Sequence, residues 1–488
     1  MASTSFVGRE AELQLLQEEW ETPLARLLIL YGRRRVGKTR LIAHWLETSG
    51  VRALYWVGDP TSAAEQLRSF SQALYAFENR QPAPEAFTYT TWGQAFQQVA
   101  RLAQNERLVV VLDEFTYLLT TEPGIAGILQ NAWDHSLKQT RLFLIISGSH
   151  IGMMQREVLA YQAPLYGRAT AKLRLAPLPF GATRAYFPRY RTDERVAVYA
   201  MLGGVPGYWE MFDPTARLDA NIRKQLLGRS GLLMDEPRLL LQDFVSDIHN
   251  YVAILRAIAH GYRTPKQIAD RAGLNERHIS MYLKILIATG YVERRLPVTA
   301  TAASRLGRHY ITDPFLRFYF RFLSERQAQL ALGVQEQTLA ELKKHLVDFI
   351  GTHTWEELCR DWLLQAGARG RLPVMPDQVG SAWTRSAQVD VVGINRMERT
   401  LVLGECKWGR HPSDQDVLEK LATQAVEFVP KDGRWRVLLL GFARTGWTDA
   451  ARRFAQHLAG QSLHEQTRLI GVELLDLKRI DDELAEWA

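Results

Sequence analysis

The chain has 488 residues, with 60 Lys plus Arg against 53 Asp plus Glu, a formal net charge of +7. Hydrophobic residues are 47% and charged residues 23%, ordinary globular usage that excludes a wholly disordered or fibrous chain. This length provides for about three domains, and the mild basic excess permits nucleic-acid binding without establishing it.

Two cysteines, Cys359 and Cys406, exclude a disulfide framework and a CxxC zinc site. Met1–Phe6 meets Gly8-Arg9-Glu10 with no apolar secretory stretch between them. Apolar runs such as Leu108–Leu112 are short of the roughly 20 residues that span a bilayer. A soluble, cytoplasmic protein with no membrane partner is expected.

The first predicted strand is 27–31, and an amphipathic helix follows from Lys38 to Leu46. Between them Gly32-Arg33-Arg34-Arg35-Val36-Gly37-Lys38-Thr39 matches G-x-x-x-x-G-K-[ST]. Glycines let the backbone curl so that its N–H groups, with the helix N-terminus, face phosphates. Lys38 then supplies the charge on the β/γ-phosphates and the Thr39 hydroxyl holds Mg²⁺. Gly32, Arg35, Val36, Gly37 and the adjoining Arg40 complete the expected ATP cradle.

A second buried strand, 108–112, ends in Asp113-Glu114. Acids at the C-terminal end of such a strand stand where an α/β sheet places ligand chemistry. Asp113 is expected in the Mg²⁺ shell, and Glu114 orients or deprotonates the attacking water. A third strand, 142–146, runs into Ser147-Gly148-Ser149, where Ser149 first, and Ser147 after it, is a candidate for the γ-phosphate or the water. Strands buried on both faces and alternating with helices indicate a parallel α/β sheet over 1–175.

Phe6-Val7-Gly8-Arg9-Glu10, the phosphate loop, Asp113-Glu114, Ser147-Gly-Ser149 and Pro164-Leu165-Tyr166-Gly167-Arg168 together resemble the archaeal and bacterial AAA+-type P-loop ATPases. Gly203-Gly204-Val205-Pro206 resembles the lid motif of that group, and the match covers about 1–300. The resemblance implies that Val7 and Arg9 help hold the adenine. It also implies an arginine finger near Arg168, acting across a homo-oligomer interface. A structural ion pair is the other reading of Arg168.

Composition shifts at Leu175-Ala-Pro-Leu-Pro179, and a helical lid is expected over 176–245. Helices at 251–260, 264–272 and 276–289, followed by a strand from Tyr291, resemble a winged helix-turn-helix over 246–312. Thr264-Pro265 supplies an N-cap with proline at the first helical position. If the third helix enters a major groove, Arg277, His278, Ser280 and Lys284 face DNA bases or phosphates. The same fold also serves as a packing module beside ATPase lids, and both readings stay open.

After a helical linker over 313–344, the region 345–488 mixes a helix at 346–364 with strands at 388–394, 400–406 and 437–442. Asp390, then Glu405-Cys406-Lys407 on the next strand, puts Glu405 and Lys407 on one face. Two carboxylates can bind Mg²⁺ or Mn²⁺ while Lys407 orients water, and Glu356 adds a third carboxylate. Cys406 points to the opposite face as a core residue. Gln424 is a candidate support for the site or an ordinary surface glutamine.

This constellation resembles the PD-(D/E)xK nuclease fold, in the form fused behind these ATPases. The expected whole is a multidomain α/β protein: a P-loop NTPase sheet with helical lid, a winged helix, and a C-terminal α/β restriction-endonuclease-like domain. Its expected work is ATP binding and hydrolysis coupled to DNA binding and metal-dependent cleavage. A nucleotide-dependent oligomeric switch whose C-terminal domain binds without cutting is the alternative, and a winged-helix transcriptional regulator is a third reading.

Overall fold

A computed structural model describes residues 6–228, 233–242, 245, 247–301, 304–464 and 467–488. Residue 246, where the lid was expected to give way to the winged helix, lies outside the described residues. The chain divides into two compact units. One runs up to Leu178 and includes Val205–Tyr208; the other comprises Pro179–Gly204 and Trp209–Ala488.

In the first unit, β1 (Arg26–Tyr31), β2 (Ala53–Val57), β3 (Leu108–Asp113), β4 (Leu142–Gly148) and β5 (Ala171–Arg174) form one sheet in the order β2-β3-β4-β1-β5. Every pairing is parallel. Strands β3 and β4 are buried at every position, as apolar runs covered on both faces must be. One core contains Leu27, Ile29, Val110, Leu112, Leu144 and Ile146. The other holds Leu28, Leu30, Val109, Val111, Phe143 and Ile145 against Leu41, Ile42 and Trp45 of helix Lys38–Ser49. Each such side chain contributes about 1.5–3 kcal/mol when fully buried. The outer strands β2 and β5 alternate in exposure; β5 alternates apolar with basic residues, whereas β2 is apolar at all five positions.

The second unit begins with short helices in the region expected to be a lid, chiefly Thr192–Leu202. Its C-terminal helix Leu477–Glu486 grips them: Asp481 accepts hydrogen bonds from Arg184 at 2.6 Å and from the buried Arg195. Gly181 sits so close to the Leu484 carbonyl that a Cβ there has no room. Helices Ile248–Ala259, Pro265–Ala272 and Glu276–Ala288 follow, then the antiparallel pair β6 (Val292–Arg295) and β7 (Arg308–Ile311). Thr264 and Gln267 form a capping box around Pro265, and Gly273 ends that helix at φ 68°. Past β6, Val298 N–H donates to Ser381 O at 3.0 Å, tying this loop to the strand that carries Ser381.

Helix Gln335–Phe349 continues through a π-turn at Ile350–Trp355 into Glu356–Ala368. The linker boundary expected at 344–345 therefore falls inside a helical run, because the buried series Leu339, Leu342, Phe349, Ile350 carries one apolar stripe across it. The C-terminal sheet contains β8 (Gln378–Trp383), β9 (Gln388–Asn395), β10 (Thr400–Lys407), β11 (Trp435–Ala443), β12 (Ser462–His464) and β13 (Thr467–Asp476), ordered β12-β13-β11-β10-β9-β8. Strands β10, β11 and β13 are mutually parallel and the remaining pairings antiparallel. Among the described residues no helix is long and apolar enough to cross a membrane.

Candidate functional site

The phosphate loop leaves β1 and turns into helix Lys38–Ser49. Arg35 at φ 64° and Gly37 at φ 99° supply its left-handed turns. At Gly32 a Cβ would stand 2.6 Å from the Leu175 carbonyl oxygen, so only glycine fits. Val36 is fully buried and pins the loop to the core, while Arg40 is half-buried one turn into the helix.

Lys38 is 4% exposed. Its ammonium donates to Gly32 O at 3.0 Å, Arg33 O at 3.3 Å and Ser149 Oγ at 2.7 Å. Burial lowers its pKa, and the charges of Glu114 and Asp113 oppose that shift. Ser149 Oγ in turn donates to Glu114 Oε1 at 2.5 Å. Thr39 Oγ1 donates to Asp113 Oδ2 at 2.7 Å, and Glu114 N–H donates to Asp113 Oδ1 at 2.9 Å. Glu114 itself sits at φ 50°, breaking β3 so that the acid pair splays toward the loop. The loop, the acid pair and Ser149 thus meet at one end of the sheet. Ser147 is fully buried with its hydroxyl unpartnered, so of the two serines Ser149 is the one Lys38 reaches.

Three further residues belong to this site and were not singled out from sequence. Tyr55 donates its phenol to Asp113 Oδ2 at 2.6 Å. Gly207 N–H donates to Arg35 O at 3.1 Å, and Arg33 Nη2 donates to Tyr208 OH at 2.7 Å. Gly207 and Tyr208 directly follow the Gly203–Pro206 motif, which was the available signal. For Tyr55 the signal lies only in strand register: it pairs with Val111, two residues before Asp113 on the same face.

Arg9 is engaged with the protein. Its guanidinium donates to Ala176 O at 2.6 Å and Val36 O at 3.4 Å and pairs with Glu12 at 2.8 Å, bracing the phosphate loop. Val7 is half-buried beside it in sequence. Arg168 lies apart from the Lys38 cluster in its bonding: it grips Asp134 through Nε and Nη2, the shortest contact 2.6 Å, and donates to Pro164 O. Of its two sequence readings, the structural ion pair is the one formed here.

In the second unit, β9 and β10 pair through Gly404 and Val391, so Asp390 and Glu405 come next in the antiparallel register. Cys406 N–H donates to Asp390 Oδ2 at 3.1 Å, and Lys407 Nζ donates to Glu405 Oε1 at 2.7 Å. Burial raises both carboxyl pKa values; Asp390 adds to the rise at Glu405, while Lys407 opposes both. Glu356 joins them from its helix. Burial and then the Asp390 charge push its pKa up to about 8, although Arg360 sits 3.2 Å away. Arg360 Nη1 also donates to Asp390 O at 2.8 Å, bracing the cluster. Hard carboxylate oxygens that repel one another suit a hard divalent cation. Yet among the described residues no group of three or more His, Cys, Asp or Glu has an arrangement able to hold a metal ion.

The part-buried Cys406 lies against the buried Cys359, and desolvation raises the pKa of both thiols. Gln424 Oε1 is buried without a hydrogen-bond partner. On helix Glu276–Ala288, Arg277, His278, Ser280 and Lys284 are all exposed, while Ile279, Leu283 and Leu286 face the core.

Residues 6–212 match an ATPase domain found predominantly in Archaea, and residues 319–421 match a family of archaeal and bacterial proteins of unknown function. An uncharacterized protein of Methanocaldococcus jannaschii is 29% identical over 420 residues, 84% of this chain and 89% of the relative. An uncharacterized ATP-binding protein of the same organism is 51% identical over 47 residues, 10% of this chain and 80% of its own length. The solved Walker-type ATPase of Pyrococcus abyssi is similar in fold, with TM-score 0.50 and 20% identity over 65% of this chain and 96% of that one. The chain carries a P-loop ATPase domain.

Proposed function

We propose that this protein hydrolyses ATP and couples the cycle to DNA, which it binds through the winged helix and processes at the Asp390–Glu405–Lys407 cluster. The observation that carries the ATPase reading is the continuous hydrogen-bond chain Lys38–Ser149–Glu114 beside the Thr39–Asp113 pair.

When ATP enters, the loop N–H groups and Lys38 take its β/γ-phosphates, and Lys38 gives up its carbonyl contacts to Gly32 and Arg33. Thr39 and Asp113, a hydroxyl and a carboxylate already 2.7 Å apart, form the oxygen donor set for Mg²⁺. Mg²⁺ bound there would neutralise charge on the phosphates. Glu114 accepts the proton of the attacking water or fixes its direction, and Ser149 ties that acid to the γ-phosphate end of the site.

At the C-terminal site, Asp390 and Glu405, two carboxylates only, would be the ligands for Mg²⁺ or Mn²⁺, which when bound would supply Lewis-acid activation of a phosphodiester. Lys407 orients the hydrolytic water, and Glu356 adds a carboxyl. In this reading the C-terminal region is a PD-(D/E)xK nuclease-like domain behind a winged helix, and the exposed Arg277, His278, Ser280 and Lys284 face DNA.

A second reading, a nucleotide-dependent switch whose C-terminal domain binds without cutting, is favoured by one observation: the lid is clamped by Asp481 of the C-terminal helix, a direct mechanical link. The separating experiment incubates linear, circular and branched DNA with Mg²⁺ or Mn²⁺, with and without ATP, beside Asp390→Ala and Lys38→Ala. Cleavage lost in Asp390→Ala supports processing. ATP turnover with no cleavage under any condition moves the reading to the switch.

A further inference from the structure

Asp113 uses its two carboxylate oxygens unequally. Oδ1 accepts the Glu114 backbone N–H at 2.9 Å. Oδ2 accepts two hydroxyls at once, Thr39 at 2.7 Å and Tyr55 at 2.6 Å. The three donors together leave the carboxylate one orientation. They differ in what happens when a nucleotide arrives. Thr39 is the first hydroxyl of the helix behind the phosphate loop, so its oxygen turns to the cation and its bond to Asp113 is remade. Tyr55 comes from β2, which pairs with β3 in parallel register and carries no part of the loop. Its hold on Oδ2 persists through that exchange.

The chemistry of the phenol suits this task. A neutral O–H donor aligns a carboxylate without cancelling the charge a cation needs, whereas an arginine or lysine at the same place would compete with the cation.

We propose that Tyr55 is a positioning residue that sets the Asp113 carboxylate for the magnesium ion accompanying bound ATP. This rests on the ATP-hydrolysing reading of the same site. Partners that orient metal-binding groups typically change metal affinity by about 10- to 100-fold when removed.

The test titrates the full chain with a fluorescent ATP analogue, first in EDTA and then with increasing Mg²⁺. Tyr55→Phe keeps the ring on β2 and removes only the hydroxyl. Its affinity in EDTA is expected to match wild type, while its half-saturating Mg²⁺ rises about 10-fold. Circular dichroism confirms that the variant is folded. A Tyr55→Phe midpoint equal to wild type overturns the proposal, as does a loss in EDTA with the midpoint unmoved. Wild-type chain that fails to bind the analogue at all overturns the ATPase reading itself, and the role of Tyr55 with it.

Discussion

Ser149 and Glu114 share a 2.5 Å hydrogen bond, and the same serine hydroxyl accepts from Lys38 at 2.7 Å. One hydroxyl therefore joins the Lys38 ammonium to the acid that follows β3. Ser149→Ala cuts this chain and leaves Lys38 its two carbonyl acceptors. Because the lost contact bears on proton transfer, ATP turnover is expected to fall about 100-fold. Nucleotide affinity should shift by no more than about fivefold, the worth of one hydrogen bond. Steady-state kinetics beside direct binding separates the two, and a variant that loses affinity while keeping its turnover rate contradicts the role.

Gly207 is a packing constraint on the phosphate loop. A Cβ there would stand 2.8 Å from the Arg35 Cβ and 3.2 Å from the Arg35 carbonyl oxygen. Gly207→Ala must push the loop or lose the 3.1 Å bond from Gly207 N–H. Overpacking of this kind costs about 1–3 kcal/mol, so nucleotide binding should weaken by about 5- to 150-fold. Titration with a fluorescent ATP analogue reads it. Unchanged binding would show that the loop yields freely.

Arg168 is held by Asp134 through two guanidinium nitrogens, and its side chain is 26% exposed. Partly exposed pairs contribute up to about 1 kcal/mol, so Arg168→Ala and Asp134→Asn should each lower the melting temperature of the ATPase unit by a few degrees, about 2–4 °C. ATP turnover should stay near wild type in both. Turnover that collapses in Arg168→Ala but survives in Asp134→Asn would instead assign the guanidinium to the reaction.

Much of this site was legible because its chemistry is local in sequence. Gly32–Thr39 is contiguous, Asp113-Glu114 closes a wholly apolar strand, and Ser149 closes another. The Asp390 and Glu405-x-Lys407 pattern was likewise readable, since period-two alternation and adjacent strands put those residues together. Tyr55 was not, because its role depends on β2 lying beside β3, a pairing between strands about fifty residues apart with helices between them. Arg168 offered two partners from sequence alone, and only tertiary packing brings Asp134 to it. The expected end of the linker falls within a helix for a related reason: a continuous apolar stripe carries the helix through residue 345 without any breaker to mark a boundary.

Glu356 makes the C-terminal cluster sensitive to pH. Its carboxyl is pushed from an ordinary 4.5 to about 8 by burial and by the charge of Asp390, with Arg360 opposing. A folded-state pKa above the unfolded value means that the folded protein keeps a proton the unfolded chain has released. This group's contribution to stability is therefore whole below about pH 4.5, declines as pH rises, and is gone above about pH 8. Glu356→Gln mimics the protonated form at every pH and abolishes that decline. Relative to wild type, its melting temperature should be little changed near pH 4.5 and progressively higher up to pH 8, with no further gain beyond. Melting curves of the two proteins across that range check the sign. A difference that stays constant with pH would mean that Glu356 is already ionised at neutrality, stabilised by Arg360 against its neighbour Asp390.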